Sequence, residues 1–194
     1  GELRQVLTGT TAINGSGGAD GMARNVDQVS RIDLPGQEDT YYETFPLDEG
    51  SSELTDSCDY GSGRDTAATL EGEEAYTPHI AEGIGHSARN EFLCSREGEN
   101  DLIADQTAII HGVGLLPIDI AEMAQERTGL IWSPRSNIAL YGDTARVTLY
   151  DKLGVRIGMG PDWTRSGSMA MTRELRCAAE FNETYLNGYF TDEQ

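Results

Sequence analysis

The chain has 194 residues, 38% of them hydrophobic, with 33 acidic residues against 14 basic and a net charge of −19. That is enough chain for one domain with a sizeable core. The charge argues against nucleic acid and anionic membrane as partners, because binding phosphate takes Lys and Arg, and no apolar run approaches the roughly 20 residues of a membrane helix. The acidic excess is concentrated early, with 20 acidic and 6 basic residues among the first 100.

In chain order, Leu3–Leu7 reads as the end of a helix and Thr10–Asn14 as a strand. Gly15–Gly21 (GSGGADG) is a Gly-rich loop without the Lys and Ser/Thr of a phosphate-binding loop. Tyr41–Leu47 reads as a strand, and Asp48–Gly72 as a long acidic loop of the kind that is often functional. From there the chain alternates. Tyr76–Glu82, Thr107–Val113, Gly129–Ser133 and Val155–Gly160 read as strands, rich in β-branched residues in the second case. Ser87–Glu97, Ile118–Arg127, Asp143–Leu153 and Ser168–Phe181 read as helices. The last has apolar positions at Met169, Met171, Leu175, Ala178 and Ala179. Pro117 suits a helix start and Gly154 a helix stop.

Successive βα units of roughly 25–30 residues imply parallel strands with helices outside. His79 and Glu82, His111, Ser133 to Asn137 and Asp162 all fall at or just after the C-terminal end of a strand. This is where a (β/α)8 barrel places its chemistry. Imidazole nitrogens and carboxylate oxygens are the ligands of zinc, iron or manganese in hydrolytic sites. Asp162 is a candidate base and Glu82 a candidate proton carrier. Each residue alone has a plainer reading, a hydrogen-bonded histidine or a helix-capping aspartate. His86 reads as exposed.

Three cysteines, Cys58, Cys94 and Cys177, form no CxxC pair. They read either as buried thiols of a cytoplasmic protein or, if the protein is exported, as a Cys58–Cys94 disulfide with Cys177 free.

The segments PHIAEG (78–83), ARNEF (88–92), AIIHGVGL (108–115), LIWSPRSNIALYGDTARV (130–147) and GVRIGMGPDWTRSGSMAMTRELR (154–176) carry a resemblance. The chain resembles the metal-dependent amidohydrolase superfamily. Its nearest likeness there is the branch of triazine hydrolases, cyclic-amidine deaminases and imidazolonepropionase-like proteins. LTGTTAINGS (7–16) is similar to the second barrel strand of that family.

The resemblance implies an incomplete TIM-type barrel, covering approximately strands two to eight. It implies hydrolysis of C–N bonds in cyclic amides, amidines or substituted heterocycles by attack of metal-bound hydroxide, with zinc the expected metal and iron or manganese the alternatives. By position, His79, His111 and Asp162 resemble metal ligands, with Glu82, His111 and Asp162 as catalytic groups. Ser133, Arg135, Asn137 and Trp163 resemble the substrate-pocket lining. The expected partner is a small heterocyclic or cyclic amide substrate, and homo-oligomers are common among such proteins.

Two departures stand out. Pro161 replaces the usual Thr, and no HxH pair occurs. With Gly1 rather than Met first, the chain reads as a fragment lacking the first strand and the C-terminal part. The alternative is a catalytically incomplete barrel, acting as a binding protein or as a subunit completed by another chain.

Overall fold

The computed structural model describes residues 2–15, 23–27, 40–47, 53–96, 98–191 and 193. Most of the Gly-rich loop and the start of the acidic 48–72 segment lie outside the described residues. Helix α1 (Glu2–Leu7) precedes two short strands, β1 (Ala12–Ile13) and β2 (Arg24–Asn25), which pair in parallel. A five-stranded parallel sheet follows, in the order β3 (Thr40–Glu43), β4 (Ala75–Ile80), β5 (Ala108–His111), β6 (Gly129–Trp132) and β7 (Ile157–Met159). Spatial order equals chain order, as it does when each connection returns over the same face. The bond from Asn14 Nδ2 to Thr77 Oγ1 (2.8 Å) ties the region after β1 to β4.

The helices between strands are α2 (His86–Cys94), α3 (Pro117–Gln125), α4 (Pro134–Tyr141) and α5 (Val147–Leu153), and α6 (Met171–Tyr185) follows β7. The core lies between these helices and the sheet, where Ile80, Phe92, Ile109, Ile120, Leu130 and Tyr150 are buried. Asp119 is fully buried in the first turn of α3. It is answered by a bidentate Arg89 at 2.7 and 3.0 Å and by the Leu116 N–H at 2.8 Å. No helix among the described residues is long and apolar enough to cross a membrane.

The parallel α/β alternation agrees with the sequence, with differences in detail. Strand β2 and helix α4 have no counterpart in the sequence reading, which takes residues 133–137 only as a polar strand-end loop. Helix α5 starts at Val147, not Asp143, because residues 143–146 are irregular and their polar groups are bonded elsewhere. There Asp143 Oδ1 accepts the Thr144 N–H, and the Thr144 hydroxyl accepts a bond from Trp132 Nε1. Helix α6 starts at Met171, not Ser168, because the Ser168 N–H is committed to Pro161 O at 2.9 Å. The buried face of α6 also differs from the expected one. Leu175 and Met169 are exposed, whereas Glu174 is fully buried and Ala178 and Phe181 pack on the core.

The acidic segment from 53 onward has no regular element before a 3-10 turn at Ala67–Leu70. It docks on α2. Asn90 donates to Ser57 O and to the Tyr60 hydroxyl, and Leu47, Tyr60 and Cys94 form a small separate core. Cys58 and Cys94 are joined in a disulfide, and Cys177 is free. This corrects the reading of all three as thiols.

The disulfide closes a loop of sequence separation 36, which in the chain-entropy view is worth about 3–4 kcal/mol. Reduction is expected to lower the thermal midpoint by roughly 10 °C at this chain length, read by circular dichroism with and without a phosphine reductant. Cys177→Ser is expected to leave that difference unchanged.

Candidate metal centre at the strand ends

Four strand ends converge on one cluster. His79 is the penultimate residue of β4, and its Nδ1 lies 3.1 Å from Glu43 O, at the end of β3. A carbonyl only accepts, so Nδ1 carries a proton and Nε2 is the nitrogen turned toward the cluster for coordination. The Tyr42 ring meets the imidazole edge-on at 5.5 Å.

His111 ends β5 with register partner Ile80. A regular pleat would send both side chains to the same face, and Ile80 belongs to the helix-side core. His111 has a φ of +80° instead. The break in alternation brings its ring 5.0 Å from that of His79. Gly112 makes the turn possible. Its own φ is +55°, and a Cβ there would sit 2.7 Å from the Tyr150 hydroxyl, which donates to Gly112 O at 2.6 Å.

His111 is completely buried, and burial pushes its pKa below the ordinary histidine value, with His79 adding to the effect and Glu82 and Asp162 opposing it. A neutral imidazole follows, the form that ligates metals. Its Nδ1 is 3.2 Å from Asn137 Nδ2, and its Nε2 has no hydrogen-bond partner. That Nε2 faces two carboxylates, Glu82 at 3.5 Å and Asp162 at 4.0 Å. The Asn137 amide can serve either tautomer. With Nδ2 toward the ring, the ring proton sits on Nε2. Turned over, the amide presents Oδ1, itself buried without a partner, to an Nδ1–H and leaves Nε2 free to coordinate.

Asp162 follows β7 with a φ of +57°, and Ala81, between His79 and Glu82, has +58°. Left-handed backbone costs a non-glycine residue about 1 kcal/mol or more. Three of the five such residues described border this cluster. Ala81 is held by a bond from its N–H to Glu91 Oε2 at 2.9 Å, while its carbonyl accepts from Val113 and Gly114. One ligand atom each from His79, His111 and Asp162 lies within 4.8 Å of the others. Glu82 sits beside this trio, and one of its carboxylate oxygens accepts the Tyr141 hydroxyl at 2.7 Å.

The residues expected to line a pocket are placed differently from one another. Ser133 and Asn137 are fully buried around the first turn of α4, and the Ser133 hydroxyl has no partner. The Arg135 side chain lines a surface groove with Thr172, Arg173, Arg176, Cys177 and Glu180, away from the cluster. Trp163 is 65% exposed beside Asp162, with the Arg165 guanidinium 5.3 Å from its ring centre. His86 is exposed at the start of α2. Tyr141, which orients Glu82, and Glu174, which supports α4, are absent from the sequence reading. Neither belongs to a spaced motif that would have pointed to it.

No family model matches the sequence, and no curated protein does. Among solved structures, an adenosine deaminase from Xanthomonas campestris with bound zinc is similar at 20% identity and a TM-score of 0.49, over 62% of this chain and 28% of that one. A variant of a triazine hydrolase is similar at 17% identity and a TM-score of 0.43, over 52% of this chain and 23% of that one. The chain thus spans about a quarter of the length of these proteins, 28% of one and 23% of the other.

The loop bearing Asp162 is closed by Ser168 N–H to Pro161 O at 2.9 Å and Gly167 N–H to Trp163 O at 2.6 Å. A Cβ on Gly167 would overlap the Pro161 carbonyl. Gly167→Ala is therefore expected to displace this loop at a cost of about 1–3 kcal/mol, read as a lower denaturation midpoint. Gly85→Ala, whose Cβ would meet only Ser87 Oγ at 3.7 Å, sits at the N-cap of α2 and should cost no more than about 1 kcal/mol, without displacing the Asp162 loop.

Proposed function

We propose that the chain forms the metal-binding part of a hydrolase acting on C–N bonds in cyclic amides, amidines or substituted heterocycles. The observation that carries this is the convergence of His79, His111 and Asp162 from the ends of β4, β5 and β7, with the buried His111 Nε2 unpartnered. Two imidazoles and a carboxylate match in number and kind the three protein ligands of a catalytic zinc site. The unanswered Nε2 fits a ligand atom better than it fits a structural histidine. Zinc suits this donor set best, with iron or manganese as alternatives.

A divalent metal bound there supplies a Lewis acid that activates water near neutral pH and polarises the bond to be cleaved. The chain's own residues supply the rest. His79 keeps its Nε2 available because Glu43 O holds its other proton. Asp162 lies 4.0 Å from His111 Nε2 and doubles as ligand and proton acceptor. Glu82, 28% exposed and 3.5 Å from His111 Nε2, has a path to solvent and can pass a proton to a leaving nitrogen. The Tyr141 hydroxyl fixes the Glu82 carboxylate by donating to it.

A second reading has its own support. Among the described residues β7 pairs only with β6, and the β1–β2 pair does not join β3. A sheet with such an edge accepts another strand, as a subunit completed by another chain would.

Zinc titration against a chromophoric chelator separates these readings. The metal reading expects about one tightly bound equivalent, and His79→Ala or Asp162→Ala should weaken it at least about tenfold. Glu82→Gln should retain the metal and lose about 100-fold or more in ammonia release from a cyclic amidine. Wild-type affinity in both ligand variants would sink the assignment.

A further inference from the structure

Glu174 stands outside the cluster and is unused by the reaction outlined above. It is a carboxylate in the first turn of α6, fully buried. Burial pushes its pKa up, and Ser168, the Arg135 N–H and the Arg135 charge pull it back. A buried acid on an otherwise amphipathic helix is costly unless it is answered. Here one oxygen, Oε1, accepts the Arg135 N–H at 2.9 Å, while Oε2 and the buried Ser168 hydroxyl make no hydrogen bond of ordinary length.

That single bond has a clear reason in the helix it reaches. Helix α4 begins after Ser133, whose side chain makes no capping bond, and Pro134 takes the first helical position. Arg135 therefore carries the first free N–H of the helix. A carboxylate from a different helix takes the place of the missing cap, where it also faces the positive end of the helix dipole.

The first turn of α4 matters to the cluster through its next two residues. The Ser136 hydroxyl is 2.7 Å from that of Ser166, in the loop that carries Asp162. The Asn137 amide is 3.2 Å from His111 Nδ1. Both are fully buried. One turn of helix thus bonds one candidate ligand, His111, and the loop that carries another, Asp162, and Glu174 holds the start of that turn.

We infer that Glu174 is a positioning residue for the metal centre: it caps α4 from outside, and through Ser136 and Asn137 sets the loop of Asp162 and the tautomer and orientation of His111. In its zinc arm the inference rests on the proposed metal reading; in its imidazole arm it does not.

The test uses the whole chain, labelled with 15N at its three histidines. Ring 15N shifts report the tautomer of His111, and zinc affinity is measured by chelator competition. Glu174→Gln keeps the Oε1 acceptor and should stay close to wild type in both. Glu174→Ala should move or broaden the His111 ring signals and weaken zinc at least about tenfold, as loss of support behind a ligand does. If the alanine variant does not fold, Glu174→Asp withdraws the acceptor by one methylene while keeping the charge, and the same changes are expected. Glu180→Gln, exposed on the same helix, should change neither signal.

The inference is overturned if Glu174→Ala, or Glu174→Asp in its place, lowers the melting midpoint but leaves His111 shifts and zinc affinity at wild-type values. It is equally overturned if Glu174→Gln is as damaging as Glu174→Ala. Should the wild-type chain bind no zinc, the metal reading fails and the ring shifts alone decide the role of Glu174.

Discussion

An imidazole with no exposed surface must have both ring nitrogens answered by the protein, or by something the protein binds. His111 meets that condition on one side only, through Asn137, and its other nitrogen looks toward two carboxylates too distant for a normal bond. Much of the site follows from this constraint. The ring must leave the pleat to reach the cluster, so the strand ends in left-handed backbone. It must stay neutral to remain buried, and desolvation sees to that. The neighbouring helix must arrive with an amide at the right height, so the first turn of α4 is held from outside.

The backbone geometry shows how such a site is maintained. Left-handed residues persist only where their surroundings over-determine them. Ala81 is bonded through both its N–H and its carbonyl, and the turn after His111 is locked by Gly112 N–H to Ile80 O and by the Tyr150 hydroxyl on Gly112 O. Asp162 sits in a loop tied back on itself at Pro161 and Trp163. The strain lies at the strand termini, and the ladders behind it carry the stability. Chemistry is placed where the regular hydrogen bonding of the sheet runs out.

Much of the fold was legible in the residues. Segments such as TAIIHGV declare a buried parallel strand by their β-branched run, and the polar residues that close them fall where βα units expose them. His79, Glu82, His111 and Asp162 could be read as a set for that reason. What could not be read was geometry that breaks local rules. The pleat assigns His111 to the wrong face, and only its positive φ corrects this. Helix α4 is hidden because PRSN opens it with turn-forming residues. Strand β2 has two residues, too few to show a period. Glu174 sits in MTRELR, where an acid flanked by arginines looks like a solvent face, and Leu175 beside it looks like the core. The structure reverses the two because the acid has a helix end to cap.

The origin of the three donors bears on how a metal could be held. A centre with spare donors tolerates some looseness in each, because the others retain the ion. His79, His111 and Asp162 come from three different strand ends, and losing any one leaves two of this set. Affinity then depends on how little each side chain must reorganise on binding. His79 has its tautomer set by Glu43 O, and Asp162 has its loop closed at both ends. His111 is the member whose state is open, because the Asn137 amide can face it either way. The weakest point of the centre is therefore not a ligand but the amide behind one. The residues that orient that amide, on α4 and α6, carry an influence that their distance from the cluster does not suggest.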